Sequence, residues 1–286
     1  MDARIRGAII EACTNHKQQN WRKPEYRACI PIGTEYFVKF GASEILEPEA
    51  ATQAHIYSYA ESDPTAPRIA NVLFLFEHGS TTYAVMEYIE LVGPADPDRK
   101  AKALEWLSKV VPAPGHVLGP VGGGRIRHNV FKNGMAPLDF EDVGALERYF
   151  GRARQLLSNQ GQRLMAPISI SNDRVMYSQS DMDDSNFGID EKGRTVLLDF
   201  ESIGLVPATL ILSTLFRDPT LRPVLASLLD TLELAGQISS LKSLAAIRNS
   251  LWMVADPKLG ESTSLLGVVY LYRRLTDWSC SLGERW

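Results

Sequence analysis

The chain has 286 residues, a net charge of −4, 45% hydrophobic and 22% charged residues, and no Lys- or Arg-rich block. These are the proportions of a soluble globule able to bury one large core or two lobes, and they argue against a nucleic-acid binder. Cys13, Cys29 and Cys280 are widely spaced and form no CxxC pair, so neither a disulfide framework nor a zinc site follows, and free thiols in a reducing, cytoplasmic compartment are expected. Met1-Asp-Ala-Arg-Ile-Arg6 starts no signal-peptide core, and no apolar run reaches the roughly 20 residues needed to span a bilayer.

In chain order, residues 4–14 read as a short amphipathic helix. Residues 26–40 alternate, are rich in β-formers and predict strands around a turn at Gly33. Pro48 is placed at the first position of a helix over 48–60. Strands near 70–77 and 82–89 follow, joined by His78-Gly79-Ser80-Thr81, and Gly93-Pro94-Ala95-Asp96-Pro97 reads as a breaker. Beyond it come a helix over 98–111 and a second helix with the apolar stripe Val143, Leu146, Phe150, Ala153 and Leu157. Strands are expected near 175–180 and 195–200. Helices are expected at 221–234, 237–255 and 264–280.

The segment Ser178-Gln-Ser-Asp-Met-Asp-Asp-Ser-Asn-Phe-Gly-Ile-Asp190 and the segment Val196-Leu-Leu-Asp-Phe-Glu201 carry the chemistry. Asp181 precedes Asn186 by five residues, and Asp199 follows Asn186 by thirteen. Asp199 closes an apolar run, where a carboxylate is costly to bury unless a cation or hydrogen bonds meet it. Asn186 offers a neutral carbonyl oxygen, and Asp181 a carboxylate able to orient and deprotonate a hydroxyl. Oxygen donors of this kind suit magnesium. An acidic, solvated loop is the plain alternative for one such motif taken alone, and the paired spacing argues against it.

This order and spacing resembles the catalytic core of the protein-kinase-like phosphotransferases, in particular the aminoglycoside phosphotransferase and choline kinase branch and its divergent fungal-type members. The resemblance spans about residues 30–215. It implies an α+β, bilobal protein-kinase-like fold, with a β-rich nucleotide-binding lobe over 1–92 and a helical lobe over 93–286. It implies ATP and Mg2+ as cofactors and transfer of the γ-phosphate to a small-molecule hydroxyl, with no nucleic-acid or membrane partner. Residue by residue, it implies that Lys39 pairs the ATP phosphates and Glu49 (with Glu47 as the near alternative) anchors that lysine. Backbone groups in Met86-Glu87-Tyr88-Ile89 meet adenine, Asn186 and Asp199 hold magnesium with Glu201 assisting through water, and Asp181 is the catalytic base. Asp183 and Asp184 are candidates to attract a cationic acceptor, with exposed loop acids as the alternative.

Three departures bear on activity. Gln179-Ser180-Asp181 stands where the branch usually has His-Gly-Asp; Gln can still donate and accept hydrogen bonds. No GxGxxG loop precedes Lys39. The stretch Gly119-Pro-Val-Gly-Gly-Gly-Arg125 is a weak phosphate cradle, and either a lobe-connecting insert or a flexible loop fits it. Arg125, Arg127 and His128 are candidates to meet an anionic group, with His128 alone more readily structural. Two alternatives follow: a silent, pseudokinase-like binding protein, or an enzyme using the cleft for other chemistry. A protein kinase is disfavoured, because Ser202-Ile-Gly-Leu-Val-Pro207 leads straight toward an apolar helix with no Ala-Pro-Glu segment.

Overall fold

The computed structural model describes residues 1–232 and 238–253. Its first layer is an antiparallel sheet of β1 (Cys29–Ile32), β2 (Tyr36–Gly41), β3 (Val72–His78) and β4 (Thr81–Glu87), in the spatial order β1-β2-β4-β3. Strand side chains alternate between faces. Val38 and Phe40, with Tyr83 and Val85, pack on Ile9 and Cys13 of helix α1 (Ala3–Asn20). Phe37 joins Ala84 and Met86 in a separate cluster. Lys39 has the parity of Phe37, so the period of two delivers its ammonium to the face that meets helix α2 (Ser43–Ala60).

Two expectations change here. Helix α1 runs to Asn20, and its start is fixed by the Asp2 carboxylate, which accepts from the Arg4 N–H at 2.9 Å. Helix α2 starts at Ser43, so Pro48 lies inside it rather than at its first position. The N-cap residue Ala42 makes no side-chain bond, so the true start leaves no capping mark in the sequence. Pro48 withholds the N–H that the Glu44 carbonyl would receive, a cost that the packing of α2 offsets.

The chain leaves the first sheet through Tyr88–Glu90 and forms β5 (Leu91–Pro94), which pairs with β7 (Phe187–Asp190) and through it with β8 (Thr195–Leu197). Gly93-Pro94 thus ends a strand instead of breaking one. A second small sheet pairs β6 (Val175–Gln179) with β9 (Ile203–Pro207). The helices are α3 (Pro97–Leu107), α4 (Val143–Gln155), the short α5 (Asn159–Leu164), α6 (Ala208–Arg217), α7 (Arg222–Thr231) and α8 (Ile238–Met253). The stripe on α4 buries Leu146, Phe150 and Ala153, with Val143 and Leu157 half-buried around them. One apolar core runs from Ile56 of α2 through α3, α4 and α6 to Ile247 and Leu251 of α8. The expected helix at 264–280, like Cys280, lies outside the described residues.

The run from Ile203 to Phe216 divides into a strand and a helix. Residues 203–207 are all buried, as are Ala208–Leu215, so no polar residue reports either period. The Gly119–Arg125 stretch is anchored at its first three residues, while residues 122–125 are exposed. Gly119 exchanges two backbone hydrogen bonds with Leu205 of β9, at 2.9 and 2.7 Å, and the Val121 N–H donates to Thr52 Oγ1 of α2 at 2.8 Å. It links the first lobe's helix to the second lobe's sheet.

Candidate functional site

Three short elements position the site. Strand β6 ends at Gln179, β7 begins just after Asn186, and β8 ends two residues before Asp199. The loops between them carry Asp181, Asn186 and Asp199 to one edge, opposite Lys39 and Glu49.

Lys39 Nζ lies 2.5 Å from Glu49 Oε1 and 2.5 Å from Asp199 Oδ1, tying β2, α2 and the post-β8 turn together. Burial alone would lower the Lys39 pKa, but Glu49 and Asp199 together hold it above the ordinary lysine range. Burial pushes the Glu49 carboxyl up, against the pull of Lys39. Its second oxygen, Oε2, is buried without a hydrogen-bond partner among the described residues. Oxygens of Glu49, Asp199 and Glu201 fall within 4.8 Å of one another. Asp199 has φ 54° and ψ 74°. This left-handed conformation is uncommon for a residue with a Cβ and costs on the order of 1 kcal/mol or more, so surrounding contacts must impose it.

Those contacts come from Gln179. Its Nε2 donates to the carbonyl of Asp199 at 2.9 Å and that of Leu198 at 3.3 Å, while its Oε1 accepts the Asp181 N–H at 3.1 Å. One buried amide therefore holds both aspartate-bearing loops. Ser180 is also built in: its N–H donates to Ser202 O at 3.0 Å, and its hydroxyl donates to Arg127 O at 3.2 Å. Asn186 is buried, and its Nδ2 donates to the Asp181 carbonyl at 3.1 Å. Its side-chain oxygen is thereby left for another partner.

A cleft of about 780 Å³ lies between the lobes. Lys39, Glu49, Asn186, Asp199 and Glu201 line it, as does the connecting segment with Glu87, Tyr88 and Ile89. Phe37, Ala70, Met86 and Leu197 give it an apolar wall. The Glu87 N–H already donates to Asn71 O at 2.9 Å, so only its carbonyl could meet a ligand's edge. The Glu87 side chain turns to Arg68. Cys29, opposite Lys39 in the β1–β2 register, is a half-buried free thiol lining the same cleft, whereas Cys13 is buried on the sheet-facing side of α1.

A second cavity of about 620 Å³ opens beyond the catalytic loop and contains Asp181 and Asp183. The structure does not bring Asp184 into it: that carboxylate pairs with Lys100 of α3, a lysine buried over the Phe187 ring. Arg127, one of three candidate anion contacts, is instead paired with Glu201 at 2.8 Å, and Arg125 is exposed. His128 is structural. Its Nδ1 accepts the Val130 N–H at 3.1 Å, and its Nε2 meets Leu210 O at 3.1 Å.

Sequence reasoning passes over Arg68, Lys100, Asn129 and Arg217. None has a motif, because each acts on a loop distant in the chain. Gln53, which lines the cleft and donates from Nε2 to Ala70 O at 2.7 Å, has a weak signal: it follows Glu49 by one helical turn, hence on the same face of α2.

No protein-family model matches the chain, and no curated protein does. Solved structures do. The GDP complex of wild-type aminoglycoside 2'-phosphotransferase-IIIa aligns with a TM-score of 0.50 at 11% identity, over 93% of this chain and 97% of that one. An aminoglycoside phosphotransferase from Alicyclobacillus acidocaldarius aligns with a TM-score of 0.44 at 13% identity, over 88% of each chain. A thermostable mutant of aminoglycoside phosphotransferase APH(4)-Ia, in a ternary complex with AMP-PNP and hygromycin B, gives 0.41 at 12% identity, over 78% of this chain and 89% of that one. The first of these likenesses, with the antiparallel first lobe and helical second lobe, identifies the architecture as the bilobal, kinase-like α+β fold of the aminoglycoside phosphotransferases.

Proposed function

We propose that the protein is an ATP- and magnesium-dependent phosphotransferase acting on a hydroxyl of a small molecule. The observation that carries this reading is the convergence of Lys39 on both Glu49 and Asp199, beside an Asn186 that is bonded to the Asp181 carbonyl. Residues 1–92 serve as the nucleotide-binding lobe, and residues 93–286 supply the catalytic loop and the acceptor side.

The donor set fits a hard cation: Asn186 Oδ1 and the carboxylates of Asp199 and Glu201 are all oxygen, and the buried Glu49 Oε2 adds unmatched negative character nearby. Magnesium held there would neutralise charge on the transferred phosphoryl group. Lys39 is kept cationic by its two carboxylates and so is suited to a phosphate oxygen. The apolar wall of Phe37, Met86 and Leu197 suits a flat base, with backbone groups of Glu87 and Ile89 along its edge. Asp181 sits on the acceptor side and takes the hydroxyl proton. The acceptor oxygen then forms its bond to the γ-phosphorus as the bond to the β-phosphate oxygen breaks, and ADP leaves with that electron pair. Asp183 lies on the acceptor side as well, whereas Asp184 is held by Lys100. Gln179 and Ser180, the residues that favour a silent binding protein, are both hydrogen-bonded to the segments around the catalytic loop, at Arg127, Leu198, Asp199 and Ser202.

The test is thermal unfolding with ATP plus magnesium, with ATP plus chelator, and without ligand. Ligand at 100 times its dissociation constant stabilises by about 2.7 kcal/mol, a shift of several degrees in a chain of this size. A magnesium-dependent shift is expected, lost in Asp199→Asn and kept in Asp181→Ala, which loses turnover only. No shift at saturating ligand would overturn the reading.

A further inference from the structure

The segment that carries Arg127 belongs to no helix or named strand, yet its backbone is fixed on both sides. The Ala136 N–H donates to Ile126 O at 2.8 Å and the His128 N–H to Gly134 O at 2.8 Å, so Arg127 sits between two rungs, opposite Met135. The same segment grips the catalytic loop at one residue. The Ser180 hydroxyl donates to Arg127 O at 3.2 Å, and the Ser180 carbonyl accepts from Asn129 Nδ2 at 3.1 Å. None of these bonds uses the Arg127 guanidinium. That group is mostly buried (17% exposed), and its Nη1 donates to Glu201 Oε1 at 2.8 Å. Among the described residues this is the only ion pair of either side chain.

The charges around Glu201 show what the pair does. Oxygens of Glu49, Asp199 and Glu201 lie within 4.8 Å of one another. Lys39 serves the first two, at 2.5 Å each, and makes no pair with the third. Three carboxylates thus meet two cations: Lys39 from the first lobe's sheet and Arg127 from the second lobe. Glu49 Oε2, buried without a partner among the described residues, adds to the negative side of this balance. Like charges this close attract any cation and oppose any anion. Without Arg127, Glu201 would bring an uncompensated charge to the wall of a cleft that has to admit a polyphosphate.

We propose that Arg127 is a positioning residue of the nucleotide site: it holds Glu201 and balances its charge, so that the acidic cluster takes a metal ion poorly by itself and admits the nucleotide's phosphates. The proposal rests on the phosphotransferase reading for the nucleotide; the charge balance stands on the Lys39 and Arg127 pairs. Removing Arg127 then moves two affinities in opposite directions. A metal ion alone binds more tightly, because the cluster has gained net negative charge. ATP without metal binds more weakly, for the same reason. A residue that only supported the fold would weaken both when lost.

The experiment titrates the full chain with two probes: Mn2+ alone, followed by electron paramagnetic resonance, and ATP in chelator, followed by calorimetry. Wild type, Arg127→Met, Arg127→Lys, Glu201→Gln and the Arg127→Met/Glu201→Gln double variant are compared. Arg127→Met keeps the side-chain stem and every backbone bond of the segment. It should tighten Mn2+ and weaken metal-free ATP, each by about three- to thirtyfold for the loss of one charge at this range. Arg127→Lys, which keeps the charge, should change both much less. Glu201→Gln should tighten metal-free ATP, and the double variant, which removes one charge of each sign, should return ATP binding toward the wild-type value. Glu201 is partly exposed, so Glu201→Gln carries the test even if Arg127→Met does not fold. Arg127→Met weakening both probes, or changing neither, overturns the proposal while wild-type ATP binding keeps the phosphotransferase reading. Tighter Mn2+ in Arg127→Met with no ATP binding by the wild type would keep the charge balance and remove that reading. Binding of neither probe by the wild type removes both.

Discussion

At the scale of single residues, Gln179 does work that neither a smaller nor a more acidic side chain could. Its amide faces two carbonyls with its nitrogen and one N–H with its oxygen, so both ends are needed. Replacement by Glu keeps the size and the acceptor but aims a carboxylate oxygen at the carbonyls of Leu198 and Asp199. Leaving such buried groups unsatisfied costs about 1–3 kcal/mol each. Gln179→Glu is expected to lower stability by that order and to weaken the MgATP-dependent shift, because the carbonyls of Leu198 and Asp199 then lose their donor and the left-handed turn at Asp199 is held by the Lys39 pair alone. Wild-type stability and an unchanged ligand shift in Gln179→Glu would refute the bridging role. His128 gives a pH prediction. Burial lowers its pKa to about 4, with the Leu210 carbonyl opposing. The unfolded chain takes up a proton near pH 6.5 that the folded chain refuses. Stability from this group is therefore complete above about pH 6.5 and is lost as pH falls toward about 4, by roughly 3 kcal/mol in total. Urea unfolding across that window should show the slope, and His128→Asn should flatten it.

At the scale of elements, what could be read from the sequence was whatever repeats locally. The alternation of β2, the stripe of α4 and the acid spacing of the loops each report a geometry set by near neighbours. The start of α2 could not be read, because Ala42 makes no capping bond and Pro48 imitates a first-turn proline. Strand β9 shows no alternation to read, because all five of its residues are buried, and only Pro207 marks where the apolar helix α6 takes over. The glycine stretch left two readings open, a lobe-connecting insert or a flexible loop, because the bonds that decide for the first lie across the fold. A Cβ on Gly204 would stand 2.6 Å from the Gly119 carbonyl oxygen, a backbone atom that cannot swing aside. Gly204→Ala should therefore part β9 from the Gly119 segment and destabilise by about 1–3 kcal/mol. Gly123→Ala meets no atom within 4 Å but carries φ +93°, so its cost is strain alone. Comparing the two melting curves, with hydrogen exchange at Leu205, separates close approach from strain. Loss of Leu205 protection in Gly123→Ala but not in Gly204→Ala would contradict this account.

At the scale of the whole molecule, the lobes are fastened at a point away from the reacting groups. Arg68 precedes β3, yet its N–H donates to Thr195 O at 2.7 Å and its carbonyl accepts from Leu197 N at 3.0 Å, extending the β8 edge. Its side chain pairs with Glu87 at the end of β4 and with Asp190 of β7, the latter at 3.2 Å. One residue thus joins the first sheet, the connecting segment and the second sheet, and so sets the width of the cleft that Lys39 and Asp199 close. Burial alone would raise the Asp190 pKa, but bonds from Arg194 and Arg68 hold it below the ordinary carboxylate value. A depressed folded value gives stability that is present above the unfolded pKa, near 3.9, and is lost as pH falls through the folded one. Arg68→Met keeps the packing stem and removes the clamp, while Arg194 still serves Asp190 at 2.8 Å. The expected loss is about 1–3 kcal/mol at neutral pH, less than for a buried charge left wholly unpaired. Acid unfolding should also become shallower below pH 4, and amide exchange over residues 88–94 should quicken before exchange in α4 does. If α4 and residues 88–94 quicken together, Arg68 supports the fold at large and does not fasten the lobes.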